Sequence, residues 1–258
     1  MPRFFKYRAK QEPSIELSEL DGIRSLHLGG TMVQSAMRLS APNDLELAYT
    51  QYMMGFLLFH PEPENICMIG LGGGSLAKFV YHQMPQTKTR VIEINPQIIT
   101  TARKFFFLPE DDDRLQIVIA DGSKFLASGH FGIDVLLIDG FDNDCQVSSL
   151  CSQGFYSHVC QVLNKNGVLV VNLLSRDKHA KDYLQRIKNS FNGHVVTMMS
   201  EARGNMIVFA FRNSPGKLTW KALRIRAKSL EKKYALPFLE FVAKLRKHTP
   251  HSHHSLEI

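Results

Sequence analysis

Four carboxylates stand where predicted strands of this chain end: Glu93, Asp121, Asp139 and Asp142. An amine is protonated at neutral pH and has no lone pair to attack with, so a nearby carboxylate can hold it, orient it and accept its proton. A carboxylate can also accept hydrogen bonds from ribose hydroxyls. Asp is common at turns and helix starts, so each one alone fits a structural role equally well. Their convergence on one edge of a sheet predicts a nucleotide site instead.

A glycine-rich turn precedes these carboxylates. The stretch Ile66–Ala77 starts with four apolar residues and continues through Ser75, which we expect to cap a helix. Strand, glycine turn and helix form the opening unit of a nucleotide-binding α/β fold. Glu93 follows about 20 residues later, where an acidic residue can bind a ribose. The glycines, which leave no side chain where a ligand could lie, are Gly70, Gly72, Gly73 and Gly74.

Alternating strands and helices must position these groups. Strands separated by helices imply a parallel sheet with right-handed crossovers, and such sheets bind ligands at the carboxyl ends of their strands. The pattern predicts a Rossmann-like, doubly wound, mostly parallel α/β fold that ends in an antiparallel edge hairpin. The strands are expected at 66–70, 89–94, 115–120, 133–138, 167–173, 194–199 and 206–211, and the helices at 75–84, 97–107, 123–128, 152–163 and 178–190.

Two further segments flank this core. Residues 14–39 alternate like strands, with Asp-Gly and Gly-Gly turn signals, which predicts a small antiparallel β unit. A helix is expected over 44–59 with Asn43 as its cap, and one or two basic helices over 217–247. The predicted division is a β unit with its linking helix at 1–60, a catalytic domain at 61–212 and a helical extension at 213–258.

Composition narrows the function classes. No run of about 18 apolar residues is present, so no transmembrane helix is expected, and the first residues lack the apolar region of a secretory signal. The four cysteines have no Cys-x-x-Cys spacing, so no metal site is expected. The net charge of +7 resides in residues 213–258, with ten Lys or Arg and three Glu. We therefore expect a cytoplasmic protein whose site does not bind nucleic acid.

The motifs resemble the spermidine synthase (polyamine aminopropyltransferase) family, within the S-adenosylmethionine-dependent methyltransferase class of folds. The resemblance covers residues 65–173 well and 20–60 loosely. It implies a homodimer with a small amine as acceptor. The segments that carry it are Met68–Leu76, Val91–Pro96, Ile119–Gly122, Asp134–Asp142, Gly154–Tyr156 and Asn166–Asn172.

The resemblance also implies roles. Glu93 would bind the ribose hydroxyls, Asp121 would accept from the adenine amino group, and Asp139 would take the proton of the attacking amine. Asp142 would lie on the loop that closes over the substrate. The other positions implied in the donor and acceptor pocket are Gln34, Tyr49, Gly70, Gly72, Gly73, Ile94 and Gly122.

The sequence departs from the family in ways that leave the identity of the donor undetermined. Gly73 replaces an Asp that contacts the amine of decarboxylated S-adenosylmethionine, and Thr50-Gln51 replaces His-Glu. The loop after Asp139 also lacks the family's proline. A site with fewer carboxylates should hold a doubly charged diamine less well. The leading hypothesis is a transferase resembling spermidine synthase that alkylates a small amine and uses an adenosyl-sulfonium donor, either decarboxylated S-adenosylmethionine or S-adenosylmethionine. The alternatives are a methyltransferase that uses S-adenosylmethionine, a non-catalytic nucleoside-binding protein, and a nucleic-acid-binding protein that uses the basic extension.

Overall fold

The computed structural model describes residues 3–7, 14–30, 32–129, 132–142, 145–200, 204–248, 252 and 254–258; for 3–7, 141, 142, 145, 146 and 248 this means the backbone alone. The N-terminal part forms an antiparallel sheet of four strands in sequence order. The turn between its second and third strands has Asp21 at φ 52° and Gly22 at φ 75°, as a tight hairpin requires. The predicted β unit is confirmed. Its strands are β1 (Arg3–Tyr7), β2 (Ile15–Leu20), β3 (Ile23–Leu28) and β4 (Ser35–Arg38).

The linking helix is shorter than predicted. Helix α1 spans Ala48–Met53 and a 3₁₀ turn continues over Met54–Leu58. The cap at Asn43 is wrong, because the preceding chain is engaged elsewhere. The Asp44 amide turns back to the Ala41 carbonyl at 3.1 Å, and the Pro42 carbonyl accepts from Lys78 at 2.6 Å. The helix therefore starts only after this turn is complete.

The central sheet has seven strands in the order β12-β13-β11-β8-β5-β6-β7. Five are parallel, and β12 and β13 form the antiparallel edge hairpin that the sequence predicts. The doubly wound α/β prediction is confirmed. The remaining strands are β5 (Asn65–Ile69), β6 (Lys88–Glu93), β7 (Leu115–Ile119), β8 (Ile133–Ile138), β9 (Phe141–Asp142), β10 (Cys145–Gln146), β11 (Leu163–Leu174), β12 (Val195–Met199), β13 (Asn205–Phe211), β14 (Lys217–Thr219) and β15 (Ser255–Glu257).

Helices cover both faces of this sheet, and alternation along each strand builds the two cores. In β5, Met68 packs into one core and Ile69 into the other. The first core joins the sheet to α1, α2, α3, α7 and α8, and the second joins it to α4, α5 and α6. The helices not yet given are α2 (Ser75–Gln83), α3 (Pro96–Phe106), α4 (Gly122–Ala127), α5 (Gln153–Val162), α6 (Ala180–Ser190), α7 (Trp220–Tyr234) and α8 (Phe238–His248).

The C-terminal extension contains its two helices and also a strand pair that the sequence did not predict. Strand β14 pairs antiparallel with β15, and Ser255 and Leu256 are buried. Helix α8 packs on β12, and its Phe238 and Phe241 lie in the same core as the sheet residues. The division at 212/213 stays a prediction. None of the helices in the described ranges has the length and apolar character needed to cross a membrane.

Candidate active site

Gly70 is the point where the glycine turn leaves the sheet. Its φ is +92°, and a Cβ there would lie 2.4 Å from the Asp139 carbonyl oxygen. The Gly70 amide donates to the Ile92 carbonyl and the Asp139 amide to the Ile69 carbonyl, each at 3.0 Å. Three strand ends are thereby tied together in a space and a backbone conformation that only glycine tolerates. The turn and Asp139 are one rigid unit.

The predicted cap at Ser75 is wrong. Gly74, with φ +75°, is the N-cap of α2, and Ser75 is the first helical residue. The Ser75 hydroxyl instead lies 3.3 Å from the Ser35 hydroxyl. Gly74 takes the cap position because the glycine turn ends in a left-handed conformation that favours glycine. Because Ser75 does not cap the helix, its buried hydroxyl can instead link the glycine turn to Ser35 of β4.

Glu93 is aimed at the glycine turn. Its Oε2 accepts from the Leu71 amide at 2.9 Å and its Oε1 from the Asn95 amide at 2.8 Å. Burial raises the pKa of this carboxyl, and the amides of Asn95, Leu71 and Ile94 oppose that rise. A carboxylate has about four acceptor sites. Glu93 therefore keeps capacity for a pair of hydroxyls while it holds the turn in place.

A cavity of about 440 Å³ lies along this edge of the sheet. Ile94 is 65% exposed and lines it. Asp121 has a structural role, because it caps α4 by accepting from the Lys124 amide at 3.0 Å. It also lines the cavity. The predicted site residues that this cavity brings together are Gln34, Tyr49, Gly70, Gly72, Glu93, Ile94, Asp121, Gly122 and Asp139.

Asp139 lines the cavity and lies between two donors. The Tyr49 hydroxyl donates to its Oδ2 at 3.0 Å, and Asn172 Nδ2 donates to its Oδ1 at 2.8 Å. Burial raises the pKa of Asp139, and these two hydrogen bonds oppose the rise. Burial and the adjacent Asp139 raise the pKa of Tyr49, so Tyr49 stays a neutral donor. The carboxylate is fixed in place, poorly solvated and able to accept a proton.

Gly73 is not among the residues that line the cavity. A Cβ at this position would lie 2.8 Å from Phe106 Cδ1 and 2.9 Å from Ser35 Oγ. The volume in which the family's Asp side chain would begin is thus occupied by two other side chains. An acid at this position would therefore have to displace Phe106 or Ser35 in this chain.

This packing predicts the outcome of restoring the acid. Gly73→Asp should lower the free energy of unfolding by about 1–3 kcal/mol, because the new side chain overpacks the site. It should bring no gain in affinity for decarboxylated S-adenosylmethionine, because the side chain starts towards Phe106. Urea denaturation and calorimetric titration measure the two effects. Gly30→Asp adds the same charge where a Cβ meets nothing within 4 Å and should change neither quantity. A stable Gly73→Asp protein with tighter donor binding would contradict this prediction.

Asp142 lies in β9, but its side chain is outside the described residues, so its role stays a prediction. The sequence did not predict Asn205, which donates to Asn172 Oδ1 at 2.8 Å. The available signal was an amide at the start of an apolar strand.

Within the described ranges, no three His, Cys, Asp or Glu residues are grouped so that they could hold a metal ion.

A family model and a similar protein of known name both point to one family. The spermine/spermidine synthase domain matches residues 46–218. A polyamine aminopropyltransferase of Chromobacterium violaceum is 43% identical over 234 residues, which cover 91% of this chain and 90% of the relative.

Two solved structures share the fold. A probable spermidine synthase from Corynebacterium glutamicum superposes with a TM-score of 0.73 over 100% of both chains, at 19% identity. Human methyltransferase-like protein 13, in complex with SAH, superposes with a TM-score of 0.66 at 26% identity, over 73% of this chain and 93% of that one. At 19% identity, the similarity to the Corynebacterium glutamicum protein supports a shared fold and nothing further.

Proposed function

Because the chain belongs to the spermine/spermidine synthase family, we propose that it is a transferase that moves an aminopropyl group from decarboxylated S-adenosylmethionine to a small amine. The observation that carries the proposal is Asp139, held between Tyr49 and Asn172 where it lines the same cavity as Glu93. No other described carboxylate has this combination of a partly buried position, two side-chain donors and access to the cavity.

The chain's own residues fit the donor. Glu93 would hold the ribose diol with the acceptor capacity that its backbone partners leave. Ile94 and Gly122 would flank the adenine ring, and Asp121 would accept from the adenine amino group with the oxygen that does not cap α4. The bound donor supplies a carbon already activated by a sulfonium leaving group.

Asp139 would act as the base. The attacking amine must lose a proton, and a carboxylate whose pKa is raised by burial is a better acceptor for it than a solvated one. Tyr49 and Asn172 fix both oxygens, so the direction from which the amine is held is set before binding. Such positioning supplies much of the rate in a displacement of this kind. Asp142 would lie over the acceptor as part of the closing loop.

A second candidate is methyl transfer from S-adenosylmethionine itself. The observation that favours it is Gly73 and its neighbours. Where an acid would attract the ammonium of the decarboxylated donor and repel a carboxylate, this chain has the uncharged Ser35 and Ser75 hydroxyls. Loss of a repelling charge removes discrimination against the carboxylate of the whole molecule.

Assembly and location complete the proposal. We place the enzyme in the cytoplasm as a homodimer, with family membership as the support for both. The acceptor is a small molecule and not a nucleic acid, because the exposed cations of α7 belong to the extension and not to the cavity. Sedimentation velocity tests the dimer.

Donor binding distinguishes the candidates. In calorimetric titrations, decarboxylated S-adenosylmethionine should bind at least about tenfold more tightly than S-adenosylmethionine, a difference of about 1.4 kcal/mol. Methylthioadenosine, which keeps the nucleoside but no tail, serves as the control for the nucleoside pocket. Tighter binding of S-adenosylmethionine would overturn aminopropyl transfer in favour of methyl transfer. Absence of binding by all three would overturn both transfer reactions.

A further inference from the structure

Two amide side chains follow Asp139 in a chain of hydrogen bonds. Asn172, on β11, is 1% exposed and donates through Nδ2 to Asp139 Oδ1 at 2.8 Å. Asn205, the first residue of β13, donates through Nδ2 to Asn172 Oδ1 at 2.8 Å. Asp139, Asn172 and Asn205 thus form a chain of directed hydrogen bonds, which we call the amide relay.

Strand pairing sets the relay. Val171 pairs with Ile138 in the parallel ladder, so the next residues, Asn172 and Asp139, are neighbours at the strand ends. In the antiparallel ladder Asn172 lies opposite Ile207, and Asn205 is two residues from Ile207. Side chains two residues apart share a face, and such diagonal pairs are within reach of each other. The backbone of Asn205 is itself held, since its carbonyl accepts from the Ser200 amide at 2.9 Å.

The relay has a defined polarity. An ionised carboxylate only accepts hydrogen bonds, whereas an amide has a donating and an accepting end. Asn172 must therefore present its NH₂ group to Asp139 and its oxygen away from it. Asn205 donates to that oxygen, and so favours this orientation of the amide over the one rotated by 180°.

We propose that Asn205 is a positioning residue for the transfer reaction: by donating to Asn172 it keeps the amide NH₂ of Asn172 on the catalytic carboxylate. This rests on the proposed role of Asp139 as the base. Asn205 does not touch the reacting atoms. Its effect reaches them through the ionisation and orientation of Asp139.

The relay should be visible in the pH profile. Among the described side chains, Tyr49 from α1 is the titratable group in contact with Asp139, and the facing residues of β11 and β13 are the uncharged Asn172 and Asn205. A hydrogen bond donated to a carboxylate favours its ionised form. Loss of the Asn172 donor raises the pKa of Asp139 further, so the base becomes protonated at a higher pH.

Asn205→Asp is the sharpest test, because it keeps the shape and replaces the donor by an acceptor. Asn172 should then rotate to donate to residue 205 and turn its oxygen towards Asp139. The acid limb of the kcat/KM profile for the amine should move up by about one pH unit. Methylthioadenosine affinity should stay unchanged, which also reports an intact fold. Asn189→Asp, an exposed change on α6, adds the same charge and should leave the profile unchanged.

A double-mutant cycle separates the amide from the charge. In an Asn172→Ala background, Asn205→Asp should leave the acid limb where the first substitution put it, because the relay is already broken. An equal shift in both backgrounds would mean that the new charge acts through space, and would overturn the relay. An unshifted profile in Asn205→Asp would overturn it as well. If Asp139→Asn keeps turnover, Asp139 is not the base and the proposed function is overturned. If Asp139→Asn loses turnover but Asn205→Asp leaves the pH profile unshifted, only the relay proposal is overturned.

Discussion

Replacement of Asp139 by asparagine is expected to slow alkylation of the amine by about 10³-fold, within the range that general-base catalysis supplies. The amide of the variant has nearly the same shape. Its oxygen can still accept from Asn172, and its NH₂ group can donate to the Tyr49 oxygen, so the local network stays satisfied. What is lost is the ability to take a proton. The decrease should therefore appear in kcat, measured by mass spectrometry of the alkylated product.

Binding measurements keep this prediction specific. Methylthioadenosine should bind Asp139→Asn within about twofold of its affinity for the unaltered protein, a difference below about 0.5 kcal/mol. Asp113→Asn removes a carboxylate that is exposed in the loop before β7 and should change neither kcat nor binding. Turnover that survives in Asp139→Asn would show that another group accepts the proton.

Replacement of Glu93 by glutamine is expected to weaken donor binding by about a hundredfold or more, since hydrogen bonds to a charged group contribute about 1.5–3 kcal/mol each. The physical reason is twofold. The ribose loses a charged acceptor, and the new NH₂ group must face the backbone amide of either Leu71 or Asn95, where two donors oppose each other. Calorimetry with methylthioadenosine measures the loss directly, because this ligand keeps the ribose and lacks the transferred group.

Stability must be followed in parallel, because Glu93 also holds the glycine turn. We expect Glu93→Gln to lower the thermal midpoint as well, since one buried amide loses its acceptor. Glu62→Gln, at an exposed position between β4 and β5, is the matched control and should affect neither quantity. A folded Glu93→Gln protein with unchanged nucleoside affinity would place the ribose elsewhere in the cavity.

The convergence of Glu93, Asp121 and Asp139 on one edge of the sheet can be predicted before any coordinates are known, because it follows from the topology. Each follows a strand in an alternating pattern, and parallel strands put their carboxyl ends on one edge. Two of these carboxylates also have a partner near in sequence: Glu93 accepts from Asn95, and Asp121 from Lys124. The glycine turn is specified in the same local way.

Contacts between segments that are far apart in the sequence could not be predicted from the sequence. Lys78 looks like a surface residue of α2, yet it is 1% exposed, and its Nζ donates to the Pro42 and Phe106 carbonyls at 2.6 and 2.7 Å. Burial lowers its pKa to about 8. Pro42, one of its acceptors, lies in the segment before α1, where the sequence predicted a helix start at Asn43. Local propensity carries no information on which segment a buried ammonium will join.

The sequence by itself determined the α/β order and the carboxylates that meet at the edge of the sheet, because these depend on periodicity and on strand ends, and its motifs carry the resemblance to the family. Only the tertiary structure decided how those groups are held. Phe106 and Ser35 fill the space beside Gly73, and Asn205 reaches Asp139 through Asn172. These contacts join residues about 30 or more positions apart, and they are fixed by packing and strand register, which no short stretch of sequence encodes.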